Sequence, residues 1–339
     1  MPVKAQRPEL SIVVPVYDEE GNVAPLHAEL TEVATRLGRP YEICFVNDGS
    51  RDATLERLTA LLADDPHLRI VDLDGNFGEA AALSAGFGVA RGDVVVTLDG
   101  DGQNDPHDIP TLLDGLRPGI DVVSGRRLHR EENMTTRVIP SWIANRMIVL
   151  ATRVPVYDCG CGLKAYRRDV LAGAQLPKGM NRFLPAILGV PGSRVAEIST
   201  RDRPRGSGQS HYGLWRVAVV FRDLPSLPLL CRRDKPGYGT ARALRLGAFG
   251  LAAAALAAVV TWRPGWALVA IAAAAVASAV RHNVERFAEA RAHGVFRIRR
   301  VLTHGDVAAE DRDRGRGLLG QEPAPDLRRA GQRAGHLPL

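Results

Sequence analysis

A chain of 339 residues with a 45% apolar fraction is long enough for one catalytic-sized domain and an appendage, and too short for three ordinary domains. Its formal charge of +6 gathers in arginine clusters at 126–137, 201–205, 232–245 and 281–300, which suits anionic substrates or a lipid surface; with almost no interleaved aromatics, the pattern argues against nucleic acid as a partner. Cys44, Cys159, Cys161 and Cys231 form neither a disulfide framework nor paired Cys-x-x-Cys arms, so reduced thiols in a cytosol-facing domain are expected; residues 1–10 lack the apolar stretch of a signal peptide.

From Leu10 the chain alternates strands and helices. Residues 11–17 are a β-branched run that stops at Asp18-Glu19-Glu20-Gly21; Val23, Leu26, Leu30, Val33, Ala34 and Leu37 then fall at helical spacing up to Gly38. Residues 41–46 read as a second strand, and Ser50 or Asp52 can cap the helix carrying Leu55, Leu58, Leu61 and Leu62. A third strand, 68–73, leads through Gly75-Asn76-Phe77-Gly78 into an Ala-rich helix over 79–90, and 93–98 is a fourth strand. The alternation predicts an α/β fold, a mostly parallel sheet with helices on both faces. In such sheets ligands bind at the carboxyl ends of strands, so Asp18, Glu19, Asp48, Asp99 and Asp101 are expected around one crevice.

The fourth strand delivers Leu98-Asp99-Gly100-Asp101-Gly102-Gln103-Asn104-Asp105. In an extended chain Asp99 and Asp101 share a face, and the two glycines admit a ligand closely. Hard oxygen ligands at this spacing suit Mg²⁺ or Mn²⁺ beside a diphosphate; an Asp/Gly-rich turn after a buried strand fits the string equally well.

Taken together, Val14-Pro15-Val16-Tyr17-Asp18-Glu19-Glu20, Val46-Asn47-Asp48-Gly49-Ser50-Arg51-Asp52, Asn76-Phe77-Gly78 and the Asp99 segment resemble, in order and spacing, the inverting family 2 glycosyltransferases. The resemblance is to the branch of dolichol-phosphate mannose synthase and bacterial polyprenyl-phosphate glycosyltransferases. It continues through Ser124-Gly125-Arg126-Arg127, Arg137, residues 158–168 and residues 205–212, and implies a GT-A, Rossmann-like domain. It further implies that Pro15, Tyr17, Glu19, Val46, Asp48, Asp99 and Gly100 hold the nucleotide-sugar, with Asp48 near the base. Asp99, Asp101 and Gln103 match the family's metal and diphosphate site, and Arg126, Arg137, Lys164 and Arg205 match basic positions near an acceptor phosphate. Asp99, Asp101, Asp158 and Arg126 form the candidate catalytic set.

A phosphate acceptor is already ionised at neutral pH, which lessens the need for a general base. Asp158 therefore reads either as a base or acceptor-orienting group, or as an acid paired with a nearby arginine. Cys159 and Cys161 lack a second ligand pair and read as small loop residues. Two departures from the family pattern concern the acceptor side: residues 200–205 lack the histidine that many relatives carry there, and His211 stands where lysine is common. Met180-Asn181-Arg182-Phe183-Leu184-Pro185 resembles a segment near the acceptor, without an assigned role.

Beyond Tyr212, residues 213–243 mix apolar residues with arginines and are broken by Pro225 and Pro228, an interfacial pattern. Two apolar runs follow, 246–262 and 266–280, split by Arg263-Pro264-Gly265. Each is short and alanine-rich, so a soluble helical hairpin is one reading. Arginines bracketing both outer ends favour the other, a transmembrane hairpin over 244–282 with both termini cytoplasmic. Residues 281–300 read as a basic segment for anionic head groups, and the polar stretch from Thr303 predicts disorder. The expected division is a tail at 1–9, a GT-A domain at 10–212, an interfacial segment at 213–243, the hairpin at 244–282, and a basic segment with tail at 283–339.

The expected activity is inverting transfer of one sugar from a nucleotide-sugar of the GDP-mannose, UDP-glucose or UDP-N-acetylglucosamine type to polyprenyl or dolichyl phosphate, on the cytoplasmic face of the cell membrane. Two other readings stay open: transfer to a hydroxyl of a glycan or small molecule with Asp158 as base, and non-catalytic binding of nucleotide-sugar or lipid phosphate. A homo-oligomer is also left open.

Overall fold

A computed structural model describes residues 7–127, 139–203, 222–231, 251 and 264–306, with the backbone alone at 139–144 and 264–267. The early elements follow the apolar periodicity: β1 (Leu10–Val16), α1 (Val23–Arg36), β2 (Tyr41–Asn47), α2 (Thr54–Asp64), β3 (Leu68–Leu73), α3 (Glu79–Val89) and β4 (Val94–Thr97). Then come α4 (Ile109–Gly115), β5 (Val122–Arg127), α5 (Ile139–Thr152), β6 (Lys164–Arg167), α6 (Leu184–Ile187) and β7 (Val195–Thr200). A short helix, α7 (Leu227–Leu230), a C-terminal helix (Pro264–His293) and β8 (Ile298–Thr303) follow.

The strands form one sheet in the order β7-β5-β6-β4-β1-β2-β3-β8. β1 is parallel to both β2 and β4, and β2 to β3. The chain thus moves outward from β1 through β3 and crosses back to the other side for β4. Loops leaving β1 and β4 at their carboxyl ends diverge, and that switch point is where an α/β sheet opens a ligand crevice. β6 runs antiparallel between β4 and β5, β7 parallel to β5, and β8 antiparallel on β3.

Alternation along β1 builds a core on each face. Leu10, Ile12, Val14 and Val16 join Leu26 and Leu30 of α1, Leu58 and Leu62 of α2 and Leu112 of α4. Val13 faces the other way, toward α3, Ile148 of α5 and the C-terminal helix. The small residues of α3 are explained by close approach to the sheet: a Cβ at Gly86 would lie 2.3 Å from Val13 Cγ1.

The C-terminal third departs from expectation in three ways. First, the last helix does not end near residue 280. By length and composition Leu268–His293 is long and apolar enough to cross a membrane. Yet Val280, Val284 and Phe287, spaced i, i+4, i+7, are buried in the core that contains α3. Its exposed apolar residues, Leu268, Val269, Ile271 and Val276, all precede that buried turn. Second, the leucines read as interfacial, Leu224, Leu227 and Leu230, are buried in the same core; 213–221 and 232–243 lie outside the described residues, as do 1–6, nearly all of the first apolar run and 307–339. Third, several arginines of the basic segment, though partly exposed, meet acids or a carbonyl of the domain. Arg281 pairs with Glu285 at 3.0 Å, Arg286 donates to the Lys178 carbonyl at 2.6 Å, and Arg297, Arg299 and Arg300 face Asp72 and Asp74 because 298–303 pairs with β3.

Phe287→Ala is expected to lower the stability of the whole domain by about 3–5 kcal/mol, read as a drop in the unfolding midpoint of detergent-solubilised protein. A midpoint left in place would mean that the helix is an independent anchor.

Candidate active site

The loops after β1 and β2 hold each other through side-chain to backbone bonds. The Asp18 N–H donates to Ser50 Oγ at 3.0 Å and the Arg51 N–H to Asp18 Oδ1 at 2.7 Å; the Glu19 N–H donates to Thr54 Oγ1 at 2.9 Å, and the Ala53 N–H to Glu20 Oε2 at 3.1 Å. Asp18 adopts a left-handed backbone, φ +52°, a conformation open to Asp at modest cost. These bonds fix Pro15, Tyr17 and Glu19 beside Val46 and Asp48.

Asp48 is buried and accepts the N–H groups of Phe77 and Gly78, each at 2.8 Å. Burial raises its pKa and those two bonds restrain the rise. It thereby clamps the Asn76-Phe77-Gly78 turn against the end of β2. Gly49 permits this: with φ +70°, it has the neighbouring turn so close that a Cβ would lie 2.5 Å from the Gly75 carbonyl carbon.

β4 brings Asp99 to the same edge. A Cβ at Gly100 would lie 2.6 Å from Val16 Cγ1 and 2.8 Å from the Pro15 carbonyl, so the metal-type motif lies directly against the end of β1. The loop is tied internally, with the Asp99 N–H donating to Asn104 Oδ1 and the Gln103 N–H to Asp101 Oδ1, both at 3.1 Å. It is tied externally by the Arg203 N–H on the Gln103 carbonyl at 2.9 Å. Asp99 keeps an opening to the crevice, but burial of its carboxyl and the charges of Glu79 and Asp101 push its pKa up to about 8. Asp99, Asp101 and Gln103 form an all-oxygen donor set, and a carboxyl under such anionic pressure fits a hard divalent cation. Among the described residues another trio, Glu29, Asp105 and His107, has ligand atoms within 4.8 Å of one another, but Arg203 bridges it at 2.7 Å from Glu29 and 2.6 Å from Asp105. A guanidinium already supplies the positive charge there.

Register explains where Lys164 lies. Lys164 is buried opposite Thr97, at the carboxyl end of β4; its Nζ donates to the Cys161 carbonyl, and its charge is felt at Asp99. The connecting loop passes over Asp99 so tightly that a Cβ at Gly162 would lie 2.2 Å from Asp99 Oδ1, and Thr97 Oγ1 pins that loop by donating to the Gly162 carbonyl at 2.8 Å. Burial pushes the thiols of Cys159 and Cys161 up to about 12 and about 11, so they are neutral loop residues as their spacing suggests.

Asp158 is paired with an arginine, the geometry of its second reading. It is buried, and Arg127 grips it with Nε on Oδ2 at 2.8 Å, Nη2 on Oδ1 at 3.1 Å and the backbone N–H on Oδ2 at 3.2 Å. Burial works against the Arg127 charge, and the hydrogen bonds and charge of Asp158 more than offset it. Glu197 holds the backbone of this turn, accepting from the N–H groups of Tyr157 and Asp158 at 2.7 and 2.8 Å; burial raises its own pKa. Arg126, the residue singled out from sequence, is exposed on β5, and alternation sends it away from its neighbour. Arg127 is the residue whose charge is felt at Asp99. Arg137 and Arg205 lie outside the described residues. Glu79 was also missed: it follows Gly78 at the start of α3, where an acidic residue reads as ordinary helix capping, yet it adds its charge to the surroundings of both Asp48 and Asp99.

Known proteins resemble this chain in sequence and in fold. The family model described as Glycosyl transferase family 2 matches residues 11–173, and dodecaprenyl-phosphate galacturonate synthase of Rhizobium johnstonii is 39% identical over 254 residues, 74% of this chain and 73% of that protein. The chain belongs to glycosyl transferase family 2. It is also 35% identical over 216 residues to undecaprenyl-phosphate 4-deoxy-4-formamido-L-arabinose transferase of Shewanella sediminis, covering 63% of this chain and 65% of that protein. Among solved structures, glucosyl-3-phosphoglycerate synthase from Mycobacterium tuberculosis, crystallised with Mn²⁺, uridine diphosphate and phosphoglyceric acid, superposes with a TM-score of 0.52 at 21% identity, over 69% of this chain and 81% of that one. That likeness is one of fold, the GT-A α/β fold. As a family 2 glycosyltransferase the chain is an enzyme, and the matched residues 11–173 contain Asp48, Asp99, Asp101, Asp158 and Lys164.

Gly162→Ala is expected to displace the Asp99 carboxyl and lower turnover about 100-fold while the unfolding midpoint stays close to that of the parent. Full activity would show that the loop is free to lift. Asp99 also sets a pH dependence. Its folded pKa, about 8, lies above its ordinary 3.8, so its contribution to stability is full at acid pH and is lost as pH rises through 8. In cation-free protein, urea unfolding from about pH 5 to pH 9 is expected to show that loss, and Asp99→Asn to flatten it. An unchanged slope in the variant would assign the pH dependence elsewhere.

Proposed function

We propose that this family 2 enzyme transfers one sugar from a nucleotide-sugar to a polyprenyl phosphate, inverting the anomeric centre by direct displacement. The polyprenyl-phosphate transferases named above support the acceptor class. The single observation in this chain that carries the reading is the Arg127 fork on Asp158. A hydroxyl acceptor needs a base, and an Arg-paired, buried carboxylate is a poor one; a phosphate acceptor arrives ionised.

In this reading Pro15, Tyr17, Glu19, Val46 and Asp48 bind the nucleoside, and the Asp99 loop receives the diphosphate. A divalent cation, Mg²⁺ or Mn²⁺, held by Asp99, Asp101 and Gln103 supplies neutralisation of the charge that grows on the departing diphosphate. Lys164, with Arg126, Arg137 and Arg205, attracts the acceptor phosphate. The role of Asp158 is to hold Arg127 charged beside the Asp99 loop, making it a positioning residue. In the same reading the apolar stretch that precedes residue 280 of the C-terminal helix, together with 246–262, is the part that would anchor the domain to a membrane, with the domain on the cytoplasmic side.

The test uses full-length protein in detergent micelles with polyprenyl phosphate and radiolabelled UDP-galacturonate, UDP-glucose, UDP-N-acetylglucosamine and GDP-mannose in turn. Label is expected in a chloroform-extractable product with one donor, dependent on divalent cation, and Asp101→Ala is expected to lower that rate about 100-fold or more. Label appearing only in water-soluble products would overturn the lipid acceptor; turnover indifferent to chelator and to Asp101→Ala would overturn the cation site.

A further inference from the structure

Register lines up a polar row across one half of the sheet. Val16 of β1 is opposite Asn47 of β2, Asn47 opposite Asp72 of β3, and Asp72 opposite Arg300 of β8. Hydrogen bonds run along it. Arg300 Nε donates to Asp72 Oδ2 at 3.4 Å, and Asn47 Nδ2 donates to Asp72 Oδ1 at 2.9 Å. The Ser50 N–H then donates to Asn47 Oδ1 at 3.2 Å, and Ser50 Oγ accepts from the Asp18 N–H at 3.0 Å. The row therefore ends in the paired loops that carry Tyr17, Glu19 and Asp48.

Asp72 is the joint. It is only 1% exposed, and removing one partner of a buried, charge-paired carboxylate is costly to the fold. Arg300 is one such partner, and Arg299 adds its charge at 3.6 Å. With one oxygen committed to Arg300, the other orients the Asn47 amide, and the amide's own oxygen fixes the first N–H of the turn after Asp48. The arginines are half-exposed, and the residues at the start of β8 are exposed, so the burial of Asp72 and not a hydrophobic seam distinguishes this row.

We propose that Arg300, from the far end of the chain, is a positioning residue for the donor site: through Asp72 and Asn47 it sets the turn that presents Asp48 and Ser50 to the nucleotide. The inference rests on the reading of that crevice as the nucleotide site.

The experiment measures binding of uridine diphosphate and guanosine diphosphate to full-length protein by titration calorimetry, together with separate donor and acceptor KM values. Arg300→Gln is expected to weaken diphosphate binding and raise the donor KM roughly tenfold, the worth of one charged hydrogen bond, with the acceptor KM unchanged. Arg300→Lys is expected to restore most of it. Arg297→Gln, which removes the same charge from a neighbour that faces only Asp74, is expected to leave donor KM at the parent value. Asp72→Asn approaches the row from its centre, and its effect is expected to be non-additive with Arg300→Gln. Equal rises in both KM values, no rescue by lysine, or the same loss from Arg297→Gln would reduce β8 to an edge strand and overturn the proposal. Parent protein that binds neither diphosphate would overturn the donor-site reading itself, and the proposal with it.

Discussion

A carboxylate held away from water at the end of β4 is the constraint around which the domain is arranged. Asp99 is pressed by Gly162 from above, faces the charges of Glu79 and Asp101, and is balanced by Lys164 and Arg127. Each of these neighbours arrives from a different element, and each arrives because of sheet order. β6 must be antiparallel to β4 for Lys164 to start where β4 ends; β1 must neighbour β4 for Gly100 to back onto Pro15. The parallel 3-2-1-4 core and its antiparallel insertion thus bring opposite charges to one partly desolvated point. Sites of this kind are expensive to the folded state, and the two well-filled cores on either face of the sheet are what the domain sets against that cost.

Much of this was legible in the order of residues. Strands β1 to β4 alternate or run apolar over the right lengths, and Asp18, Asp48 and Asp99 each follow a strand, so their convergence follows from parallel topology alone. The acceptor side was less legible because it depends on register. Arg126 and Arg127 are equivalent in a sequence; only the pairing of β5 and the turn at 157–162 decides which one meets Asp158. Glu79 was hidden by a local explanation that was sufficient in itself, an acid in the first turn of a helix. Asp158 was undecided for the opposite reason: both of its readings required knowing where a guanidinium 31 residues earlier in the chain would lie.

The C-terminal segment shows how hydropathy and periodicity can point in different directions. Arg281, His282, Asn283 and Glu285 interrupt the apolar run, so the unbroken apolar stretch read from the sequence stops at Val280. The stripe Val280, Val284, Phe287 continues through them at helical spacing, and it is this stripe that packs on the domain. Likewise 298–303 looks basic in composition, yet Ile298, Val301 and Leu302 give it strand character, and its arginines answer acids on β3 that are remote in the sequence. Long-range pairing of charge carries no local signature.

The position of β8 bears on how the protein comes into being. β3 is finished by residue 73, but the strand that covers its outer edge is made only at residues 298–303, after the apolar helix. During synthesis the row of peptide groups on β3 waits unpaired while everything else in the sheet is already available, and unpaired edges recruit other chains. A polypeptide released early, just past the Pro264–His293 helix, would lack Arg300 and expose a raw sheet edge. For this enzyme β8 therefore acts as a mark of completion, closing an edge of β3 that would otherwise be open to other chains.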